Sequence, residues 1–120
     1  MVIAADLLSR RTLDYDIRMD VLVAIKRLIV ARRVEFTLKA EEERLSDGLS
    51  IEEIFESIVN ANGLKKVLRS RSLARTRADE KLYIIESPSY SGVWIYTKGT
   101  IRRKDGQEVF YVLVSAKIAE

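Results

Sequence analysis

The spacing of apolar residues changes near residue 64, from a helical period to the alternation of a β-strand. Upstream, in residues 17–29 and 51–59, apolar side chains recur every three or four positions, as in a helix with one buried face. Helical segments followed by alternating segments predict an α+β fold, with two or three helices on one face of an antiparallel sheet. Alternating segments that predict strands are residues 66–70, 81–86, 93–102 and 108–117.

The first helix is predicted to begin near Ile17, with Asp14 or Asp16 as its cap. Residues 1–14 show no clear period and are expected to form a loose N-terminal arm. Residues 34–37 alternate briefly and are expected to be an extended link to the next helix.

The second predicted helix covers residues 38–45, with Leu38 and Leu45 on its apolar side and a stop at Asp47-Gly48. The third begins with a capping box, in which the Ser50 hydroxyl and the Glu53 carboxylate bond each other's backbone amides. Gly63 is expected to end the third helix in a left-handed conformation. The expected buried face of the third helix consists of Ile51, Ile54, Phe55, Ile58 and Val59.

The last strand has apolar residues on both faces and is therefore expected inside the sheet, not at its edge. Asp105-Gly106 predicts a tight hairpin before it, because this pair tolerates the positive φ of such turns. Counting outward from a two-residue turn places Tyr96 opposite Ser115 and Lys98 opposite Leu113. Trp94 then lies opposite Lys117, which makes Tyr96 and Lys117 diagonal neighbours on one face.

The composition narrows the classes of protein considered. The 120 residues suit a single domain, and the absence of cysteine and histidine excludes disulfides, zinc fingers, thiol nucleophiles and imidazole catalysis. No apolar run reaches the ~18 residues of a membrane span, and the N-terminus does not resemble a signal peptide. We expect a soluble, cytoplasmic protein without a cofactor or a metal, and with a composition like that of thermophile proteins.

Charge is distributed unevenly along the chain. Residues 37–63 carry two cations against seven acids, net −5, whereas residues 64–104 carry eleven cations against three acids, net +8. A basic surface attracts phosphate backbones, so the second block is a candidate RNA-binding surface. The alternative is that both blocks are solvated faces that partly neutralise each other.

Aromatic and cationic residues share a face of the third predicted strand. Trp94, Tyr96 and Lys98 are spaced by two, and side chains in a strand repeat with that period. Aromatic rings stack on unpaired bases while cations hold phosphates, so this face would suit single-stranded RNA. Trp94 alone is more readily interpreted as a core residue. The further RNA-binding candidates are Arg71, Arg75, Arg77, Lys81, Tyr83, Arg102 and Arg103.

Several segments follow one another in a distinctive order, namely residues 25–29, 33–37, 49–50, 96–98 and 114–117. This order resembles the MqsR toxin family and related domains of the RelE superfamily, over about residues 21–118. The resemblance implies a helices-then-sheet fold, a metal-independent mRNA interferase and an antitoxin partner. The catalytic residues that the resemblance implies are Tyr96, Lys98, Lys117 and Arg69, and the family has lysine at the position of Arg69.

Two functions outside catalysis stay open at the level of sequence. One is an RNA-binding domain that does not cleave. The other is a protein-interaction module, in which the acidic residues 41–43 and 52–53 contact a basic partner and the basic sheet is only a solvated face. The sequence does not determine the oligomeric state.

Overall fold

The computed structural model describes residues 2–71, 79–104, 106 and 108–120, with side chains from residue 13 onward except those of Lys104 and Glu108. The α+β class predicted from the sequence is confirmed. The helices are α1 (Val2–Val30), α2 (Leu38–Ser46) and α3 (Ile51–Val59). The strands are β1 (Val34–Phe36), β2 (Lys66–Arg69), β3 (Lys81–Pro88), β4 (Trp94–Lys104) and β5 (Glu108–Ile118).

The strands form one sheet in the order β1-β5-β4-β3-β2. All neighbours are antiparallel except β1, which runs parallel to β5 with Val34 opposite Tyr111. The expected link at residues 34–37 is therefore largely a strand, and its pairing with β5 could not be predicted from local alternation. β5 lies between β1 and β4, inside the sheet as its two apolar faces indicated.

The core lies between one face of the sheet and the helices α1 and α3. Each helix contributes an apolar stripe at three- and four-residue spacing, which is why both pack on the sheet. The two stripes meet Ile85, Ile95 and Leu113 of the central strands. The most deeply buried helix side chains are Leu22, Ile25 and Ile29 of α1, and Ile54 and Ile58 of α3.

Helix α1 begins at Val2, not near Ile17, so the predicted start of this helix is wrong. The segment before Ile17 contains no glycine or proline and is rich in alanine and leucine, which favour a helical backbone. In the described part of this half, Leu13, Tyr15 and Ile17 are all exposed. None of the described helices is long and apolar enough to cross a membrane.

Helix α2 is held by polar contacts more than by an apolar face. Leu38 and Leu45 are 76% and 63% exposed, so their predicted burial is wrong, and only Ala40 enters the core. The helix lies along the edge of β5 beyond the point where β1 ends. There the Glu43 carboxylate accepts hydrogen bonds from the Ser115 hydroxyl at 2.7 Å and the Ala116 amide at 3.2 Å.

The capping box predicted at the start of α3 is present, with Ser50 and Glu53 bonded reciprocally. The end of α3 differs from the prediction. Asn60 is its C-cap, and Gly63 is not among the glycines with positive φ, so it does not form a left-handed cap. Ile51, expected in the core, is 38% exposed.

The β4–β5 ladder changes register between Lys98 and Gly99, because Val114 is a bulged residue without a partner on β4. The bulge moves Ala116 to the core face and Ser115 to the other face, which corrects the expected alternation of β5. Beside the bulge, the Tyr111 ring packs on Gly99. A Cβ at residue 99 would lie 2.5 Å from Tyr111 Cζ, so the neighbouring ring requires glycine there.

Replacing Gly99 with alanine should destabilise the protein by about 1–3 kcal/mol, the usual cost of overpacking a core. The measurement is the free energy of unfolding in denaturant. Gly63→Ala is the matched control, since nothing lies within 4 Å of a Cβ at that position. In a double-mutant cycle with Tyr111→Val, the cost of the alanine should largely disappear. An equal cost in both backgrounds would contradict the contact.

The Tyr111 hydroxyl is fully buried and has no hydrogen-bond partner among the described residues. Burial raises the pKa of Tyr111 well above its ordinary value, and Tyr83 raises it further. The phenol thus stays neutral in the folded protein but ionises near pH ~10 when unfolded. Above that pH the unfolded state binds fewer protons than the folded state does. The free energy of unfolding therefore falls by about 1.4 kcal/mol per pH unit.

Tyr111→Phe should therefore be at least as stable as the parent at neutral pH, because no buried hydroxyl is left unbonded. It should also lose less stability between about pH 9 and pH 11. Unfolding curves across that range provide the measurement. Tyr90→Phe, at a tyrosine that is 69% exposed, should keep the pH dependence of the parent. Equal pH dependence in Tyr111→Phe would refute this account.

Candidate nucleic-acid interface

The sheet face turned away from α1 and α3, called the interface face, carries three of the four predicted catalytic residues, Tyr96, Lys98 and Lys117. Tyr96 and Lys98 lie on this face of β4, and Tyr96 is directly opposite Lys117 of β5. The Lys117 ammonium is 5.4 Å from the centre of the Tyr96 ring, within the range of a cation–π contact. The predicted side-by-side arrangement of these residues is therefore present, in a different register.

The difference in register has two sources. The hairpin loop contains three residues instead of two, since Lys104 pairs with Glu108, and the bulge at Val114 adds one more. Lys98 is consequently opposite Ser115 rather than Leu113. Two shifts of one residue each add to an even number, so Tyr96 and Lys117 remain on the same face.

Trp94 is exposed, and the interpretation of it as a core residue is wrong. It lies on the same face of β4 as Tyr96, at the end of the strand and opposite Pro88 of β3. Its exposure is 56%, although tryptophan has the largest side chain in the chain. The protein thus presents its only tryptophan to solvent beside Tyr96.

Glu86 is a residue that the sequence analysis did not single out. It is directly opposite Tyr96 on β3, so a carboxylate, a phenol and an ammonium form one row across three strands with Lys117. The Glu86 carboxylate also accepts a hydrogen bond from the Lys65 ammonium at 2.7 Å. Glu86 and Tyr96 are neighbours because of the register between β3 and β4, and no local sequence pattern predicts that register.

Arg69 lies on the opposite face of the sheet. It pairs with Lys81, and its side chain shares a face with Val67 and Tyr83, whereas Tyr96 and Lys98 belong to the other face. The expectation that Arg69 belongs to one catalytic site with Tyr96 is therefore wrong. The resemblance matches Arg69 to a residue of the family by its place in the sequence, and this match does not show how β2 pairs with β3. The face on which Arg69 lies could therefore not be predicted.

The remaining RNA-binding candidates are dispersed. Arg71 and Lys81 are exposed near the ends of β2 and β3, and Tyr83 is half-buried against the core. Arg103 is exposed on the helix side of the hairpin, one residue after Arg102, which lies on the interface face. Arg75 and Arg77 lie outside the described residues.

A cleft of about 410 Å³ adjoins Lys98 on the interface face. Lys39 and Thr37, from the start of α2, line one side, and Lys98 and Arg102 of β4 line the other. The guanidinium of Arg102 donates two hydrogen bonds to the buried Glu80 carboxylate, at 3.0 and 3.1 Å. Sequence analysis missed Lys39, because its position depends on the docking of α2 against β5.

Comparison of the chain with protein-family models, curated proteins and solved structures finds no match. The likeness to RelE-type toxins, based on the order of residues, therefore stays a prediction. Within the described ranges, no group of three or more potential metal-binding side chains lies together.

Proposed function

We propose that the chain binds single-stranded RNA across the sheet face that carries Trp94, Tyr96, Lys98 and Lys117, and cleaves it without a metal ion. The observation that supports this most is the exposure of Trp94 beside Tyr96, whose ring contacts Lys117 and lies two residues from Lys98 on the same face. Rings of this kind stack on unpaired bases, and ammonium groups neutralise the phosphates between them.

The exposure of Trp94 has an energetic implication. Burying a large apolar side chain stabilises a fold by about 1.5–3 kcal/mol, which the protein forgoes at this position. A partner that covers the ring recovers this stabilisation on binding. Because Lys98 and Lys117 lie on the same face and Lys117 contacts the adjacent Tyr96 ring, a polyanion with flat apolar groups fits the surface better than an apolar protein does.

The alternative of a protein-interaction module loses its main support. Of the acidic residues that it invokes, Glu41 pairs with Arg44, and Glu52 pairs with Arg32. Glu43 bonds the edge of β5, and Glu53 forms the capping box. Four of the five acidic residues that the alternative invokes thus have partners within the domain, and the fifth, Glu42, is exposed. An antitoxin that covers the interface is still a prediction of the resemblance alone.

The binding proposal predicts that Trp94→Ala and Tyr96→Ala each weaken affinity for a short oligouridylate. Loss of one stacked base costs about 1–3 kcal/mol, or roughly 5- to 150-fold in affinity. Fluorescence anisotropy measures the affinity, and binding should also quench emission from Trp94, the only tryptophan.

Tyr15→Ala is the matched control, since Tyr15 is 64% exposed on α1 and should not affect binding. Trp94→Phe keeps a stacking ring and should retain most of the affinity. Binding that is equally weak in the Tyr15 variant, or unaffected by loss of both interface rings, would contradict the assignment.

Cleavage would proceed by attack of the RNA 2′-oxygen on the adjacent phosphorus, which breaks the bond to the 5′-oxygen. A base takes the proton of the 2′-hydroxyl, and an acid supplies one to the departing 5′-oxygen, leaving a 2′,3′-cyclic phosphate. Positive charge stabilises the pentacovalent phosphorane between these steps. The reaction needs neither histidine nor an external reagent.

The row across the strands contains groups suited to these tasks. We assign proton exchange to Tyr96 with Glu86 beside it, and stabilisation of the phosphorane to Lys98 and Lys117. Lys98 is two residues from Tyr96, so both side chains project from the same face of one strand. Arg69 takes no part, because it lies on the opposite face.

Tyr96→Phe, Lys98→Met and Lys117→Met should each slow cleavage by about 10²–10⁴-fold with the fold intact. Single-turnover assays on labelled RNA measure the rate, and circular dichroism checks the fold. Arg18→Met, which removes an exposed cation from α1, should have no effect. RNA with 2′-O-methyl groups should bind and remain uncut, which separates binding from chemistry.

Addition of EDTA should leave the rate unchanged. Loss of cleavage in EDTA, with recovery on adding Mg²⁺, would show that the proposed chemistry is wrong. A Tyr96→Phe/Lys98→Met double variant as active as the parent would show that the site is elsewhere. Binding without any cleavage would leave RNA binding as the function.

A further inference from the structure

We propose that the cleft between α2 and β4 is a second phosphate subsite for RNA, with Lys39 as its distinguishing cation. This inference rests on the proposed RNA binding and extends it to a part of the surface that the sequence did not indicate. The cleft opens on the interface face, is about 410 Å³ in volume and adjoins Lys98.

Charge at the cleft favours an anion. Lys39 and Lys98 form no ion pair with any described residue, so both ammonium groups are available to a ligand. Arg102 is paired with Glu80, whose side chain is 4% exposed, and this pair fixes the guanidinium at the cleft wall. Glu35 also projects from the face that carries Lys98, and its carboxylate offsets part of the positive charge at the cleft.

The position of Lys39 follows from the docking of α2. Thr37 caps the helix through its hydroxyl and bonds β5 through its amide, so the first turn of α2 begins beside the sheet. Lys39 lies in that turn, where the helix dipole is positive and adds to the attraction for phosphate. Lys39 thus approaches the ligand from a different side than Lys98 does.

The dimensions indicate an oligonucleotide as the ligand. The cleft extends along β4 from Lys98 to Arg102, which lie two and six positions after Tyr96, or roughly 7 and 20 Å at the usual rise of a strand. A base stacked on Tyr96 and a phosphate at the Arg102 end of the cleft therefore belong to different nucleotides of one strand. A mononucleotide would contact only part of this surface.

The test is the salt dependence of oligouridylate binding. Each phosphate contact contributes about −0.7 to the slope of log affinity against log salt for a single strand. Lys39→Ala should therefore make the slope shallower by roughly 0.7 and weaken binding at low salt. Arg27→Ala, which removes an exposed cation from α1, is the matched control and should leave the slope unchanged.

A second measurement tests the cleft without RNA. Titration with pyrophosphate, followed by NMR, should shift the amide signals of Thr37, Lys39 and Val114, and Lys39→Ala should weaken these shifts. Normal oligouridylate binding with an unchanged slope in Lys39→Ala would overturn the subsite and leave the proposed function intact. Pyrophosphate shifts without oligouridylate binding would refute both RNA proposals and leave an anion site. If the protein neither binds oligouridylate nor shows pyrophosphate shifts, both RNA proposals are likewise refuted.

Discussion

The pairing of β4 with β5 is the contact on which both faces of the protein depend. On the helix side it brings Gly99 beneath the Tyr111 ring, which fills the space that a side chain would otherwise occupy. On the other side it sets Tyr96 against Lys117. Aromatic packing over a glycine is one of the devices that fix register in a sheet. The register that stabilises the core therefore also positions the interface.

Helix α2 connects the stability of the sheet edge with the electrostatics of the interface. β1 is short, so the second half of β5 would expose unpaired amides at the sheet edge. Glu43 accepts from the Ala116 amide, and Asp47 accepts from the Ile118 amide at 2.8 Å, so side-chain carboxylates replace a neighbouring strand. The same docking gives two carboxylates of the acidic block hydrogen-bond donors and brings Lys39 to the cleft beside Lys98.

Local signals in the sequence predicted local structure well. The Ser50–Glu53 capping box and the alternation in β3 and β4 depend on neighbouring residues and were correctly predicted. Parallel pairing of β1 with β5 and the position of Lys39 depend on contacts between distant segments, which no local pattern contains. The sequence predicted that Tyr96 and Lys117 share a face, although the register used for that prediction was wrong. They share a face in the structure because the two shifts together move the pairing by two residues, which leaves the alternation of faces unchanged.

The bulge at Val114 determines which residues in the second half of β5 face the core and which face the interface. Without it, Lys117 would be opposite Ile95, a fully buried residue, and its ammonium would enter the core unpaired. Ala116 would then leave the core for the interface side. One extra residue thus returns the lysine to the side of Tyr96 and keeps the alanine buried. Bulges are common where a sheet must redirect a side chain, and this one separates a packed face from a charged one within a single strand.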